Sequence, residues 1–140
     1  MKNTSPEKKL YIAALTWMIL GLAGGYFYRT FAQEIHNYYE DTQLAILHTH
    51  MLALGMLFML IALVVERSFH LSKTRWFNLF FWHYNGGLAL TVITMLIIGI
   101  NDVLGTPENH ALGMIAGLGH LIITVGLAFF FIALGRTIKK

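Results

Sequence analysis

Two histidines one residue apart, His48 and His50, sit inside an apolar run that extends from Leu44 to Val65. A bilayer crossing takes about 20 residues, so the run is long enough to span. An ionisable side chain in hydrocarbon is costly and marks a candidate functional site. At 3.6 residues per turn, positions i and i+2 point about 200° apart. His48 and His50 therefore cannot grip one metal ion together while the segment stays α-helical, and any ligation needs partners from other helices or other chains.

Two more histidines bear on that chemistry. Counting about 1.5 Å per residue from the outer ends of the expected spans, His48 lies roughly 6–8 Å deep, His50 roughly 10 Å and His120 roughly 14 Å. These three share one layer. His83 enters from the other side, within Trp82-His83-Tyr84-Asn85, where an interhelical hydrogen bond competes with ligation. His110 falls at the outer rim, His36 in the first loop, and His70, in the second loop, has no expected role.

Neutral imidazole suits haem iron, copper and zinc. Zinc wants four converging ligands, and with no cysteine and no acids at this depth that set is missing. Copper is a lesser alternative, suggested by Met51, Met56 and Met59. Haem, of the b type, needs only one or two axial histidines and an apolar slot lined by small residues. Gly55 is the glycine of the same run against which a flat cofactor would press. Gly113, Gly117, His120 and Thr124 form a second small-residue stripe. Haem propionates would call for a cation near the outer surface, where Arg29 is the candidate.

The elements that must position these residues follow from composition. Of 140 residues 56% are hydrophobic and only 12% charged, against about 25% charged in ordinary soluble domains. The pattern predicts an all-α membrane protein, one domain over residues 1–140, with spans at about 10–28, 44–65, 76–100 and 111–134. The first could be taken for a signal peptide, but its apolar run exceeds the usual 7–15 residues, so it reads as a retained span. Short connections predict an up-down-up-down order. The basic pI is not a nucleic-acid signal. Nine of the ten Lys and Arg residues fall in the termini and second loop, whereas the first and third loops hold Arg29 against Glu34, Glu40, Asp41, Asp102 and Glu108. The positive-inside rule then puts both termini in the cytoplasm.

The stretch from His48 to Gly55, on a helix that starts outside, resembles the histidine-bearing helices of the catalytic subunit of haem-copper oxidases and nitric oxide reductases. The resemblance implies that His48 and His50 ligate two different haems. That subunit has three arcs of four helices, so one arc of this length implies a homotrimer, with a twofold dimer as the other option. The copper motif with its tyrosine has no counterpart here, and His83 lies at the wrong depth to replace the copper histidines. Haem binding is thus implied and oxygen reduction is not. As a whole the chain also resembles a family of small four-span bacterial membrane proteins with the signature Leu47-His48-Thr49-His50, which implies the bacterial cytoplasmic membrane.

The expected function is a membrane haem protein acting in electron transfer, redox sensing or small-gas chemistry. Its cofactor-binding residues would be His48, His50, His120, Arg29 and Gly55, with His83 as a further metal candidate. Two other classes compete: a transporter of metal or haem, and a structural membrane subunit whose histidines only bond across helices.

Overall fold

The computed structural model describes residues 5–107 and 110–138 and is all-helical there. Four helices are long and apolar enough to cross a membrane: α1 (Pro6–Ile35), α2 (Gln43–Phe69), α3 (Trp76–Val103) and α4 (His110–Ile138). Each is longer than its hydrophobic stretch alone suggested, because the polar flanks continue the helix beyond the hydrocarbon. Glu108, Lys2, Lys139 and Lys140, used in counting loop and terminal charge, lie outside the described residues.

Ser5 caps α1 by accepting from Lys8 N–H at 3.3 Å, with Pro6 at the first helical position, where its missing N–H costs nothing. The expected loop over 29–43 is instead helix as far as Ile35, and only 36–42 connect to the next span. The last part of α1, Tyr28–Ile35, winds as a π-helix. Its wider turn lets Phe27 and Phe31 stack at 5.0 Å and turns Ala32 inward, while Arg29 and Glu34 face out. The polar residues that read as loop are its outer face.

A second π segment, Met51–Leu57, interrupts α2 directly after the His48-Thr49-His50 stretch. Phe58 N–H reaches back five residues to Ala53, bypassing the Leu54 carbonyl. That carbonyl accepts a hydrogen bond from the Tyr84 hydroxyl of α3 at 3.0 Å. The irregularity is therefore tied to a neighbouring helix, which is what non-helical backbone in a membrane requires.

Each helix packs against the next in sequence, and α3 against α4 is the most extensive pairing. Glycines make that pairing close. A Cβ at Gly87 would meet Ile123 N at 2.7 Å and Gly119 O at 2.9 Å, and one at Gly126 would meet Tyr84 N at 2.7 Å. On the other side of α3, Trp17 of α1 donates to Asn85 Oδ1 at 2.8 Å, and Asn85 Nδ2 approaches Met59 Sδ of α2 at 3.6 Å. In the half towards the basic loop, Phe58, Phe77, Phe80, Tyr84 and Phe130 form an aromatic cluster joining α2, α3 and α4. Helices α2 and α3 are thus central, while α1 and α4 flank them without an extensive mutual interface among the described residues. The main contact of α2 with α4 comes from the Phe58–Phe69 part of α2, and the Gln43–Leu57 part meets α4 much less.

Helix α2 begins at Thr42, whose hydroxyl accepts from Leu44 N–H at 3.3 Å. Asp102 of α3 completes this cap, accepting from Thr42 Oγ1 at 3.1 Å and from Gln43 N–H at 3.3 Å. The start of α2 is pinned to the end of α3, and this fixes the height of His48 and His50.

Candidate functional site

Three of the expected intramembrane histidines share one local geometry. His50 Nδ1 lies 3.0 Å from Ile46 O, His83 Nδ1 2.8 Å from Leu79 O, and His120 Nδ1 2.9 Å from Ala116 O. Each acceptor is the carbonyl four residues earlier on the same helix. A carbonyl only accepts, so Nδ1 carries the proton and Nε2 keeps its lone pair. None of these three Nε2 atoms has a hydrogen-bond partner among the described residues. A histidine that ligates a metal almost always donates its other nitrogen to a carbonyl, carboxylate or water, which fixes its tautomer and raises its basicity. These side chains have that form. None of them bonds across helices, so the expectation of an interhelical bond at His83 gives way to one within its own helix. The ring of His83 instead meets Phe129 edge-on, with centroids 5.2 Å apart.

His48 differs. Its ring packs over Gly25 of α1, where an added Cβ would lie 3.6 Å from the His48 Cβ and Cγ. Its Nδ1 is buried without a partner, and its Nε2 lies 3.5 Å from Thr49 Oγ1, a distance at the limit of a hydrogen bond. As expected from their spacing, the two histidines occupy different surroundings: His48 lies in the α1–α2 seam, and His50 is half-buried with its Nε2 free.

Gly55 does receive a flat ring, that of Trp17. A Cβ there would come within 2.6 Å of the Trp17 Cβ, closer still to its Cγ. The indole fills the space reserved for a cofactor, so Gly55 is a packing glycine within this chain. By contrast a Cβ at Gly113 or Gly117 would have nothing within 4 Å, and His120 and Thr124 on the same stripe are exposed. That stripe is open on the surface of α4. Arg29 pairs with Glu34 at 3.2 Å, and both side chains are mostly exposed.

Among the described residues no group of three or more His, Cys, Asp or Glu side chains converges on a metal position. A closed zinc-type site is therefore not built by these residues of one chain. The methionines that suggested copper are in use for packing: Met51 and Met59 are buried, and Met59 Sδ faces Asn85. A porphyrin, which supplies four of its iron's ligands itself and needs one or two imidazoles, remains compatible with the donors present.

Sequence reading missed the polar links that hold these helices in place. Trp17, Tyr84 and Asn85 connect α1, α2 and α3, and the signal for two of them was available as polar residues within an apolar span. Attention to His83 in Trp82-His83-Tyr84-Asn85 passed over its two neighbours. The remaining histidines have local structural positions. His36 ends α1 with its Nδ1 2.7 Å from Phe31 O, and His70 ends α2 in the left-handed conformation at φ 53°.

Compared with known proteins, residues 7–137 match a family described as "Protein of unknown function (DUF2871)", and the chain belongs to that family. No curated protein and no solved structure matches the chain.

Proposed function

We propose that this member of the family is an integral membrane protein that binds b-type haem for electron transfer, redox sensing or small-gas chemistry. The observation that carries the reading is the anchored-Nδ1, free-Nε2 form of His50 and His120, two histidines of the outer layer. A lone pair facing hydrocarbon leaves a polar group without compensation, and an iron ligand removes that cost. The resemblance of His48–Gly55 to the haem-bearing helices of haem-copper oxidases supports the same cofactor.

His50 and His120 are the first choice of ligands. His48 is the weaker candidate, because its Nδ1 lacks the carbonyl anchor that fixes the other imidazoles, and His83, in the opposite half, would serve a separate iron. Arg29 is the propionate partner: its exposed pair with Glu34 is worth about 0–1 kcal/mol, so exchanging Glu34 for a propionate costs little. With the Gln43–Leu57 part of α2 and the stripe of α4 left without an extensive mutual interface, a haem held by both helices sits at the edge of one chain. A homo-oligomer, a trimer by the oxidase resemblance, would enclose it. Both termini are cytoplasmic in this reading, which puts the haem layer in the outer leaflet.

The test is an absorption spectrum, oxidised and reduced, of protein purified without added cofactor, together with its metal content. A Soret band that is lost or shifted in His50→Ala and His120→Ala, and unchanged in His70→Ala, is the expected result. Absence of haem in well-folded protein expressed with haem available overturns the reading.

A further inference from the structure

At the basic end of the bundle a cleft of about 830 Å³ opens between the α2–α3 connection and the end of α4. It is lined by His70, Lys73, Arg75, Trp76 and Arg136, with Phe69 on its apolar side. The Arg75 and Arg136 guanidinium carbons lie 5.0 and 5.4 Å from the centroid of the same Trp76 ring. Two cations so placed repel each other, and no carboxylate pairs with either among the described residues. Nor does an acid among the described residues line the cleft. The nearest acid in sequence, buried Glu66, is turned to Ser72, accepting from its N–H at 2.9 Å and from its hydroxyl.

A second observation is independent of the charge. Trp76 Nε1 is buried and has no acceptor. An indole N–H buried without a partner is uncommon, and it marks Trp76 as set into the wall of the cleft. Trp76 also faces Phe129 at 5.5 Å, so its ring is held rather than free to swing towards solvent.

We propose that this cleft is a binding site for a phosphate group, with Arg75 and Arg136 as charged donors, Lys73 as a supporting cation and the Trp76 ring as the platform on which both guanidinium groups rest. Guanidinium groups suit phosphate because they present paired N–H donors in a fork matching its oxygens. Basic pockets between membrane helices at this level are suited to lipid headgroups, and Phe69 offers an apolar wall beside the charges. A soluble phosphate anion presents the same chemistry. The site is independent of the haem reading, lying at the opposite end from His50 and His120.

The experiment uses the full chain in neutral detergent, with native mass spectrometry against dioleoyl phosphatidylglycerol and, as the uncharged comparison, dioleoyl phosphatidylcholine. Calorimetric titration with inorganic phosphate forms the second arm. We expect phosphatidylglycerol to be retained over phosphatidylcholine and the double substitution Arg75→Gln/Arg136→Gln to weaken it roughly thirtyfold. The control Lys8→Gln/Lys9→Gln, at the same end but outside the cleft, should change it less than about threefold. Inorganic phosphate binding with the same arginine dependence identifies a soluble source, and its absence beside intact lipid retention identifies the lipid. Both outcomes support the site. No preference for phosphatidylglycerol together with no phosphate binding overturns it. So does undiminished binding by the arginine variant, or an equal loss in the lysine control, which would reduce the effect to general surface charge.

Discussion

Two glycines of α4, Gly117 on the open stripe with His120 and Gly119 against α3, should respond to alanine with opposite signs. At Gly119 a Cβ would lie 3.0 Å from Thr91 N and 3.1 Å from Gly87 O, and nearer still to Thr91 Oγ1. The first two are backbone atoms of α3 and cannot rotate aside. The third already donates to Gly87 O at 3.0 Å, so moving it breaks a bond. Ordinary contact therefore needs α4 to draw back by several tenths of an ångström along its closest interface. Overpacking of this kind costs about 1–3 kcal/mol, against a helix-propensity gain of up to about 1 kcal/mol. The net expectation for Gly119→Ala is about 1–2 kcal/mol of lost stability. At Gly117 nothing lies within 4 Å, and alanine should stabilise the helix by about 0.5–1 kcal/mol. Unfolding in mixed micelles of rising sodium dodecyl sulfate fraction, followed by circular dichroism, reads both. A neutral or stabilising Gly119→Ala would refute the close α3–α4 packing. Gly117→Leu then probes function, because it fills the open stripe beside His120 while leaving the fold intact. Haem occupancy should fall at unchanged stability, and unchanged occupancy would remove this stripe from the cofactor site.

Three further outcomes are expected. Tyr84→Phe should destabilise by about 1 kcal/mol, since it leaves the Leu54 carbonyl of the π segment without its donor, and faster amide hydrogen exchange around Phe58 is the local readout. Arg29→Gln should leave stability nearly unchanged, because its pair with Glu34 is exposed, but should weaken haem retention or shift the midpoint potential. If occupancy and potential both stay put, Arg29 is a surface anchor only. Accessibility of tags fused at Met1 and Lys140 should place both in the cytoplasm, following the excess of basic residues in the termini and second loop, and an external location of either end contradicts that orientation.

The four helices were legible because twenty-residue hydropathy averages over local detail, and the same averaging hid both π segments. In Tyr28–Ile35 the outward polar residues imitate a loop, since sequence alone does not say that Ala32 and Phe31 turn inward. In Met51–Leu57 every residue is apolar or glycine, so nothing in the composition distinguishes five-residue from four-residue backbone pairing. What sets it apart is Tyr84, thirty positions away and on another helix. Gly55 was readable as a site of close approach, but not what approaches: a porphyrin and the indole of Trp17 ask for the same missing Cβ. The divergence of His48 and His50 followed from helical geometry alone, whereas the orphaned Nδ1 of His48 goes with its packing against Gly25 of α1 and the Nδ1 of His50 is anchored to its own helix.

The free Nε2 atoms link the cofactor question to assembly. An unpaired polar atom kept from water costs about 1–3 kcal/mol, and a folded domain has only about 5–15 kcal/mol in all. His50, His83 and His120 each carry such an atom in a membrane-spanning helix, so each needs iron, water or a donor from another chain. Packing within the chain does not supply one, because the Nδ1 bond to the helix's own carbonyl turns the Nε2 edge away from that helix. For His50 and His120 the surroundings are similar: both lie in the half where α2 and α4 make little contact, and His120 stands on a stripe whose glycines have open space in front of them. A haem clasped by two imidazoles there would expose one edge to lipid in a monomer and would be covered in a ring of copies. Haem stoichiometry and oligomeric mass are therefore a single measurement. One haem per chain in a closed oligomer is the expected result, while a haem-free oligomer would leave water or a second chain as the source of the missing donors.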